Sequence, residues 1–398
     1  MDRGIDSQSH NGDPIAINTS NDLYGYYESA NVLAKTVDKC ATPFVVGVYG
    51  RWGRGKSTFL KTLKSELSIS ANGQSFLHLD YSPWQYHLQS FNDVWISIIS
   101  ELASEEGSIA KGLKELVKSI TVRKSARAIF GTAATLLGVG DAAGKALKDL
   151  LGDDEAAANN EYSDFIDAKK KFSVAIENYL KEDSKRRVFI YVDDIDRCEP
   201  VTSVNVLRAI QLLGRTPGCV FILGLDRDVI VHNLEKVYEN RLYAKEYLDK
   251  IVQLHVELPI LETEDLKNAL LFDAKGNART GVEPFVEWVA RFMDYNPRKV
   301  ERFCYLYDYK LSLPTKQQKD PQFYRKTVLH TVWELRWPEL ATEIARSRDI
   351  LDATEKLRSA KTIKGEKKVL NDYAHLPILK QIQADREFLL VFRKIYEI

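Results

Sequence analysis

One short stretch of the sequence combines the residue types and the spacing that bind phosphate groups. Residues 50–57 read GRWGRGKS, and their glycines let backbone N–H groups turn toward an anion where a Cβ atom would clash. Lys56 can reach the β- and γ-phosphates of a nucleotide, and the Ser57 hydroxyl can ligate Mg²⁺. The apolar run 44–49 precedes this stretch, and the helix-spaced run 58–63 follows it. The sequence therefore predicts a strand, a phosphate-binding loop and a helix, rather than a chance glycine-rich turn.

Acidic residues follow a second apolar run far along the chain. Residues 188–192 are continuously apolar, which is typical of a strand buried on both faces of a parallel sheet. They lead into Asp193 and Asp194, and an acid at the carboxyl end of such a strand faces the ligand crevice of an open α/β sheet. We predict that Asp193 holds Mg²⁺ through water and that Asp194 polarises the attacking water.

Further charged residues surround these two acids in the predicted sheet. Asp196 and Arg197 are expected to form a structural ion pair or to reach a neighbouring subunit. The buried run 219–225 ends in Asp226, which senses a γ-phosphate, orients water or caps the helix that follows. Arg227 is placed to neutralise developing negative charge.

Another arginine, Arg298, is expected in the first turn of a helix that starts with Asn296 as N-cap and a proline at its first position. A cation is unfavourable there unless an anion lies nearby, so a phosphate contact and a solvated side chain remain equal alternatives. We assign catalytic roles to Lys56, Asp194, Arg227 and Arg298. Metal binding is assigned to Ser57 and Asp193, with ATP and Mg²⁺ as the cofactors. The residues expected to bind the nucleotide are Gly50, Trp52, Gly53, Gly55, Lys56, Ser57, Thr58 and Asp226.

Length and composition indicate a globular protein of more than one domain. The chain has 398 residues, 44% of them hydrophobic and 28% charged, which suggests about two or three domains. Lys plus Arg equals Asp plus Glu at 56 each, so no overall charge attracts nucleic acid. The four cysteines lack the spacing of a zinc site or a disulfide framework and are typical of reduced thiols.

Buried apolar runs alternate with helical segments along most of the chain. The predicted strands are 44–49, 75–81, 188–192, 219–225 and 251–258. This alternation predicts a three-layer α/β fold with a mainly parallel, five-stranded sheet. Residues 153–160 read as a loop before a helix over 161–181, and Trp84 and Trp95 are expected to anchor the core.

Composition shifts suggest four regions, with a disordered segment over 1–13 and an α/β core over 14–262 that contains a helical insertion at about 105–185. A helical lid over 263–313 and a helical C-terminal region over 314–398 follow.

One uncharged run, residues 128–140, is too short to cross a bilayer, since 13 helical residues cover about 20 Å of a core of about 30 Å. It is either a buried hairpin helix or a helix lying on a membrane, helped by Arg123, Lys124 and Arg127. Residues 1–13 lack the apolar core of a signal peptide. We therefore expect a cytoplasmic protein, either free or attached peripherally at the inner membrane through residues 123–140.

With these motifs, the chain resembles the KAP family of P-loop NTPases in bacteria. The resemblance covers about 13–310 and rests on GRWGRGKS at 50–57 with its family-typical Trp52, SPWQY at 82–86, DDIDRC at 193–198, LDRD at 225–228, YLDKIVQ at 247–253 and NPRK at 296–299. It implies the additional-strand class of these folds, in which an extra strand separates the phosphate-loop strand from the acidic strand.

The resemblance also implies a location in the cell and a biological role. Family members typically insert transmembrane helices before the acidic strand, where this chain has only the run 128–140, so a cytosolic or peripheral form is implied. Relatives include phage-exclusion proteins, which implies antiviral defence.

The leading functional hypothesis is an ATP-hydrolysing switch that acts with copies of itself or with a second defence protein. The alternatives are a nucleotide-gated scaffold with negligible turnover and a nucleic-acid-stimulated ATPase, which the zero net charge argues mildly against.

Overall fold

The fold is described from a computed structural model. It covers residues 16–104, 154–346 and 363–373, except 18–21, 23, 71–75, 87, 89, 184–185, 274 and 315–318, together with positions 109, 113, 114, 353, 356, 357 and 360. The segments 1–13 and 128–140, for which we predicted disorder and a short apolar helix, lie outside the described residues. Within the described part of the chain, no helix is both long enough and apolar enough to span a membrane.

The chain divides into two compact units. The first, here called the sheet unit, consists mainly of Tyr26–Leu258, and the second, the helical unit, mainly of Pro259–Ile398. Of the described residues before Tyr26, positions 16 and 17 belong to the sheet unit, and positions 22, 24 and 25 belong to the helical unit.

The described part of the sheet unit contains one parallel sheet. Its strands are β1 (Phe44–Tyr49), β2 (Leu77–Tyr81), β3 (Val188–Val192), β4 (Cys219–Leu225) and β5 (Leu254–Glu257). They are ordered β2-β3-β4-β1-β5, and every neighbouring pair is parallel. The strand β4 therefore lies between β1, which precedes the glycine-rich loop, and β3, which precedes the acids. This order confirms the predicted α/β fold and its additional strand.

Seven described helices accompany these strands in the sheet unit. They are α1 (Tyr26–Lys39), α2 (Lys56–Ser70), α3 (Phe91–Ser104), α4 (Asp154–Glu182), α5 (Pro200–Leu213), α6 (Arg227–Tyr238) and α7 (Arg241–Ile251). The helices α3 to α7 share one large apolar core with the sheet. On the opposite side, α1 packs on α2, and α2 contacts β4. The result is a helical layer on each face of the sheet, as a parallel sheet requires.

Burial along β4 shows how the sequence builds these two layers. Phe221 and Leu223 belong to the core shared with α3 to α7, whereas the alternate residue Gly224 faces the other layer. A Cβ atom on Gly224 would lie 3.1 Å from Leu60 of α2. All seven residues of β4 are buried, which is why the strand reads as an uninterrupted apolar run in the sequence.

Three local predictions are wrong, each for a physical reason. β5 starts at Leu254 and not at Ile251, because Ile251 belongs to the buried face of α7 with Tyr247 and Leu248. Residues 154–160 are helical and not a loop, since α4 starts at Asp154 and includes the alanine run 156–158, which favours a helix. Trp95 is buried as predicted, but Trp84 is 57% exposed.

The described part of the helical unit contains six α-helices. They are α8 (Thr263–Leu271), α9 (Val286–Phe292), α10 (Pro297–Ser312), α11 (Pro321–Arg336), α12 (Pro338–Arg346) and α13 (Ile363–Asp372). The helix α10 packs against α8 and α11, and Arg279 forms an ion pair of 2.8 Å with Asp308 on α10. Asn296 caps α10, since its Oδ1 accepts hydrogen bonds from the backbone N–H groups of Arg298 and Lys299.

Candidate phosphate-binding site

The loop between β1 and α2 has the backbone conformation of a phosphate cradle. Gly53 and Gly55 have φ angles of 81° and 87°, in the left-handed region that favours glycine. The loop N–H of Gly50 donates to the carbonyl of Leu225 at the end of β4, which anchors the start of the loop. α2 begins at Lys56, and its first turn holds no acid, so the positive end of the helix faces the loop. Thr58 also lies in this first turn.

A tyrosine that the sequence motifs do not include supports this loop. The Tyr26 hydroxyl donates a hydrogen bond of 2.5 Å to the carbonyl of Arg54. A Cβ atom on Gly55 would lie 2.8 Å from the Tyr26 ring, so the third glycine of the loop is required by close packing. The ring also meets Phe59 of α2 edge to face at 6.4 Å. No local pattern indicates this role, because Tyr26 is an ordinary buried aromatic at the start of α1.

Asp226 contacts the loop from the end of β4. Its Oδ2 accepts a hydrogen bond of 3.2 Å from the backbone N–H of Trp52. Asp226 occupies the N-cap position of α6, yet its side chain forms no capping hydrogen bond. The carboxylate therefore positions the loop backbone in this structure. The Trp52 ring itself is half-exposed.

The predicted metal ligands meet across the sheet. The Ser57 hydroxyl, in the first turn of α2, donates a short hydrogen bond to Oδ2 of Asp193 at the end of β3. The backbone N–H of Asp193 donates to the carbonyl of Tyr81 at 3.0 Å. A Cβ atom on Gly224 would lie 2.7 Å from Oδ1 of Asp193, so β4 carries a glycine where the acid approaches its backbone. Ser57 and Asp193, which are 136 positions apart in the sequence, are therefore in direct contact.

This pair of oxygen ligands fits Mg²⁺, which prefers hard oxygen donors and retains several waters. Among the described residues, no cluster of three or more His, Cys, Asp or Glu side chains could enclose a metal.

Lys56 is held by two oxygens in this structure. Its Nζ donates to the carbonyl of Gly50 at 2.9 Å and to Oδ2 of Asp196 at 3.0 Å. The side chains of Lys56 and Asp196 are only 8% and 6% exposed. The structure thus corrects the expected pairing of Asp196 with Arg197. The acidic run was the signal for this residue, but nothing in its spacing specified Lys56 as the partner.

Asp194 pairs with Arg197 beside this site. Its Oδ1 lies 2.9 Å from the Arg197 guanidinium, and its Oδ2 accepts a hydrogen bond of 3.4 Å from Ser82. Burial, followed by the charge of neighbouring Asp193, raises the pKa of Asp194. The residue has a φ angle of 61°, a left-handed conformation that costs a non-glycine residue about 1–2 kcal/mol. Such strain at a polar site is typical of functional residues.

The two predicted arginines lie in different parts of the chain. Arg227, in the sheet unit, is half-exposed, 3.5 Å from Asp249 and above the Tyr49 ring at 5.7 Å. Tyr49 is the last residue of β1, so Arg227 lies over the strand that leads into the phosphate loop. Arg298 is exposed in the first turn of α10 in the helical unit, as the sequence predicts. Its contact with a phosphate remains a prediction.

The parallel sheet, the glycine loop before α2 and the acids after β3 define a P-loop NTPase. The model of the KAP family P-loop domain matches residues 26–310, and the chain belongs to this family. Membership supports nucleotide binding at the loop.

A curated relative and several solved structures are similar to this chain. The phage T7 exclusion protein of Escherichia coli (strain K12) is 25% identical over 262 residues, which cover 62% of this chain and 34% of that protein. The chain thus spans about a third of the length of this relative. The Aeropyrum pernix ORC2 protein matches with a TM-score of 0.42 and 12% identity, covering 97% of this chain and 88% of that one. A Walker-type ATPase of Pyrococcus abyssi matches with a TM-score of 0.39 and 12% identity, covering 96% and 92%.

Proposed function

We propose that this protein hydrolyses ATP with Mg²⁺ and uses the reaction to drive a conformational or assembly switch in bacterial antiviral defence. The observation that carries this proposal is the meeting of Lys56, Ser57 and Asp193 at the carboxyl ends of β1 and β3. Phosphoryl transfer needs mainly positioning and charge stabilisation, and these residues supply both.

Each residue has a distinct task in this proposal. The backbone N–H groups of residues 50–57 hold the phosphates, and Lys56 binds β- and γ-oxygens. Ser57 and Asp193 would hold Mg²⁺, which when bound neutralises charge on the phosphate oxygens. Asp194 orients the attacking water and accepts its proton.

The remaining assigned residues support the nucleotide and its transition state. Asp226 keeps the loop in shape through Trp52, and Thr58 adds a first-turn hydroxyl beside the phosphates. Arg227 and Arg298 stabilise negative charge that develops during transfer.

The proposed role in defence rests on the relative. The phage T7 exclusion protein carries that role in its name, and this chain matches 34% of its length. We propose that the chain contributes the nucleotide-dependent step of such an exclusion response, with copies of itself or a second defence protein as partner.

Two substitutions test the proposed hydrolysis. We expect Lys56→Ala to weaken nucleotide binding at least about tenfold, because the lysine contacts two phosphates. Asp194→Asn should retain binding and lower phosphate release about 100-fold or more, because it removes the base. Calorimetry with Mg·ATP and a phosphate-release assay measure the two quantities, and circular dichroism checks the fold.

The matched control is Asp228→Asn, which removes an exposed acid two residues beyond Asp226. Its binding and turnover should equal those of the unmodified protein. Equal turnover in Asp194→Asn and the unmodified protein would remove Asp194 from its role.

A nucleotide-gated scaffold with negligible turnover is the second candidate. It is favoured by one observation, namely that Lys56 and Asp194 are both neutralised by ion pairs, with Asp196 at 3.0 Å and with Arg197 at 2.9 Å. In this case nucleotide binding would change the size of the protein in solution while phosphate release stayed at background. Sizing with and without nucleotide, beside the release assay, separates the two functions.

A further inference from the structure

Asp196 binds the ammonium group of Lys56, which a nucleotide phosphate would also bind. This competition bears on which nucleotide the site favours. Its Oδ2 lies 3.0 Å from Nζ of Lys56, and Gly50 provides the second oxygen at 2.9 Å. Both side chains are more than nine-tenths buried, so water does not screen the ion pair strongly.

The number of donors on the lysine limits what can bind beside Asp196. An ammonium group carries three N–H donors, and Lys56 directs two of them to protein oxygens among the described contacts. The third donor can bind one phosphate oxygen while both contacts persist. A triphosphate presents a β- and a γ-oxygen to this lysine, so one protein oxygen must then release it.

Asp196 is the partner that is free to leave. Gly50 is fixed in place by two contacts. Its N–H donates to the carbonyl of Leu225 at 3.1 Å, and it packs so closely on Leu258 that a Cβ atom on Gly50 would lie 3.0 Å from that side chain. Asp196 lies on a single 3₁₀ turn, Ile195–Arg197, and holds Lys56 only by its side chain. Its negative charge would also repel a γ-phosphate bound to the same ammonium group.

We propose that Asp196 is a specificity-determining residue that holds Lys56 while a nucleoside diphosphate is bound and must be displaced by the γ-phosphate of a triphosphate. This inference rests on the proposed function. Because Asp196 competes with the γ-phosphate for Lys56, the site favours the diphosphate more strongly than the same loop would without Asp196. It also gives the protein a movement that occurs only with the triphosphate.

That movement has an exposed reporter, Trp84, which lies beside the turn that carries Asp196. The Arg197 guanidinium lies over the ring of Trp84, 5.6 Å from its centroid, and Trp84 is largely exposed. Because Asp196 and Arg197 are neighbours in one turn, displacement of Asp196 shifts the cation relative to the indole. Trp84 emission should therefore change with the triphosphate and not with the diphosphate.

Calorimetry on the full chain tests the discrimination. The Kd values of Mg·ADP and of a non-hydrolysable triphosphate analogue are measured for the unmodified protein, Asp196→Asn and Asp196→Glu. We expect Asp196→Asn to favour the triphosphate by at least about tenfold in the ratio of the two Kd values, because it removes the competing charge. Asp196→Glu, which keeps the charge, and Asp228→Asn, which removes an exposed acid nearby, should retain the original ratio.

The outcomes separate this inference from the proposed function. An unchanged ratio in Asp196→Asn, or selective weakening of the triphosphate, overturns the inference while nucleotide binding by the unmodified protein still stands. An unmodified protein that binds neither nucleotide overturns both.

A fluorescence titration covers the case in which Asp196→Asn does not fold because Lys56 is left unpaired. The unmodified protein is titrated with each nucleotide, and the exposed-site variant Trp84→Phe identifies the share of the signal from Trp84. A Trp84 signal specific for the triphosphate supports the displacement of Asp196. Equal Trp84 signals with both nucleotides, or none with either, contradict it.

Discussion

At the scale of single residues, the charged side chains of the site are paired with each other or with a hydroxyl group. Lys56 pairs with Asp196, Asp194 pairs with Arg197, and Asp193 accepts from Ser57. Buried charges persist only when they are paired, because desolvation of an isolated ion is costly. The stability of the site and its chemistry therefore depend on the same contacts.

The buried pair predicts strong coupling between its members. Lys56→Ala should lower the free energy of unfolding by about 3–5 kcal/mol, because it leaves the carboxylate of Asp196 buried without a counterion. Adding Asp196→Asn should restore a large part of this loss. Urea unfolding of the two single variants and the double variant measures the coupling. Additive losses would show that the two side chains do not interact.

Tyr26 gives a prediction about the shape of the loop. Tyr26→Phe should cost about 1 kcal/mol of stability and raise the Kd for nucleotide several-fold, because it removes the hydroxyl that fixes the Arg54 carbonyl. Calorimetry and thermal unfolding measure the two effects.

The control is the neighbouring tyrosine, since the Tyr27 hydroxyl donates to Glu66 at 3.5 Å on α2, away from the loop. Tyr27→Phe should leave nucleotide affinity unchanged. If Tyr26→Phe bound nucleotide as tightly as the unmodified protein, the hydroxyl would have no role in shaping the loop.

At the scale of elements, the edge strand β2 carries a half-buried histidine. His78 stacks on Phe189 of β3 at 5.4 Å, and the Tyr191 hydroxyl lies 3.1 Å from its Nδ1. Burial, followed by the charge of Lys64, lowers the pKa of His78 to about 4. The His78 imidazole, which contacts Phe189 and Tyr191 of β3, is therefore neutral in the folded protein at neutral pH.

This lowered pKa predicts how stability depends on pH. In the unfolded chain the imidazole titrates near its usual pKa of about 6.5, so between about pH 6.5 and 4 the unfolded state binds more protons. Stability is therefore lost as the pH falls through this window, by roughly 3 kcal/mol at most. This loss of stability at low pH should be absent in His78→Gln and retained in His232→Gln, which replaces an exposed histidine. Urea unfolding at several pH values checks it, and equal pH slopes in all three proteins would contradict it.

At the scale of the whole molecule, the sheet unit contains the phosphate loop and the acids, whereas Arg298 belongs to the helical unit. Cations that complete such sites often come from another subunit. We therefore propose that turnover requires assembly of several copies.

Assembly predicts that specific activity rises with protein concentration, because dilution separates the copies and with them any cation that one copy supplies to another. Phosphate release at increasing protein concentration, beside sizing with a non-hydrolysable triphosphate, measures this. Asp194→Asn serves as the control for background release. A specific activity that is constant with concentration would show that one copy is sufficient.

Much of the fold could be predicted because its signals are local. The bounds of β1, β3 and β4 follow from apolar runs, and their parallel direction follows from the alternation with helices. The start of β5 is predicted wrongly because the last apolar residues of α7 continue into the run that forms the strand. The expectation that Trp84 anchors the core is wrong because it rests on the usual burial of aromatic residues, whereas this ring is exposed with Arg197 beside it.

The sequence by itself determined that a glycine loop, its lysine and serine, and a strand ending in acids belong to a phosphate site. Each of these signals is contained within a few neighbouring residues. Only the tertiary structure decided that Asp196 holds Lys56, across 140 positions, and that Asp226 holds the backbone of Trp52, across 174. Periodicity and spacing describe each segment alone, whereas the partner of a buried charge depends on which strand ends the sheet brings together.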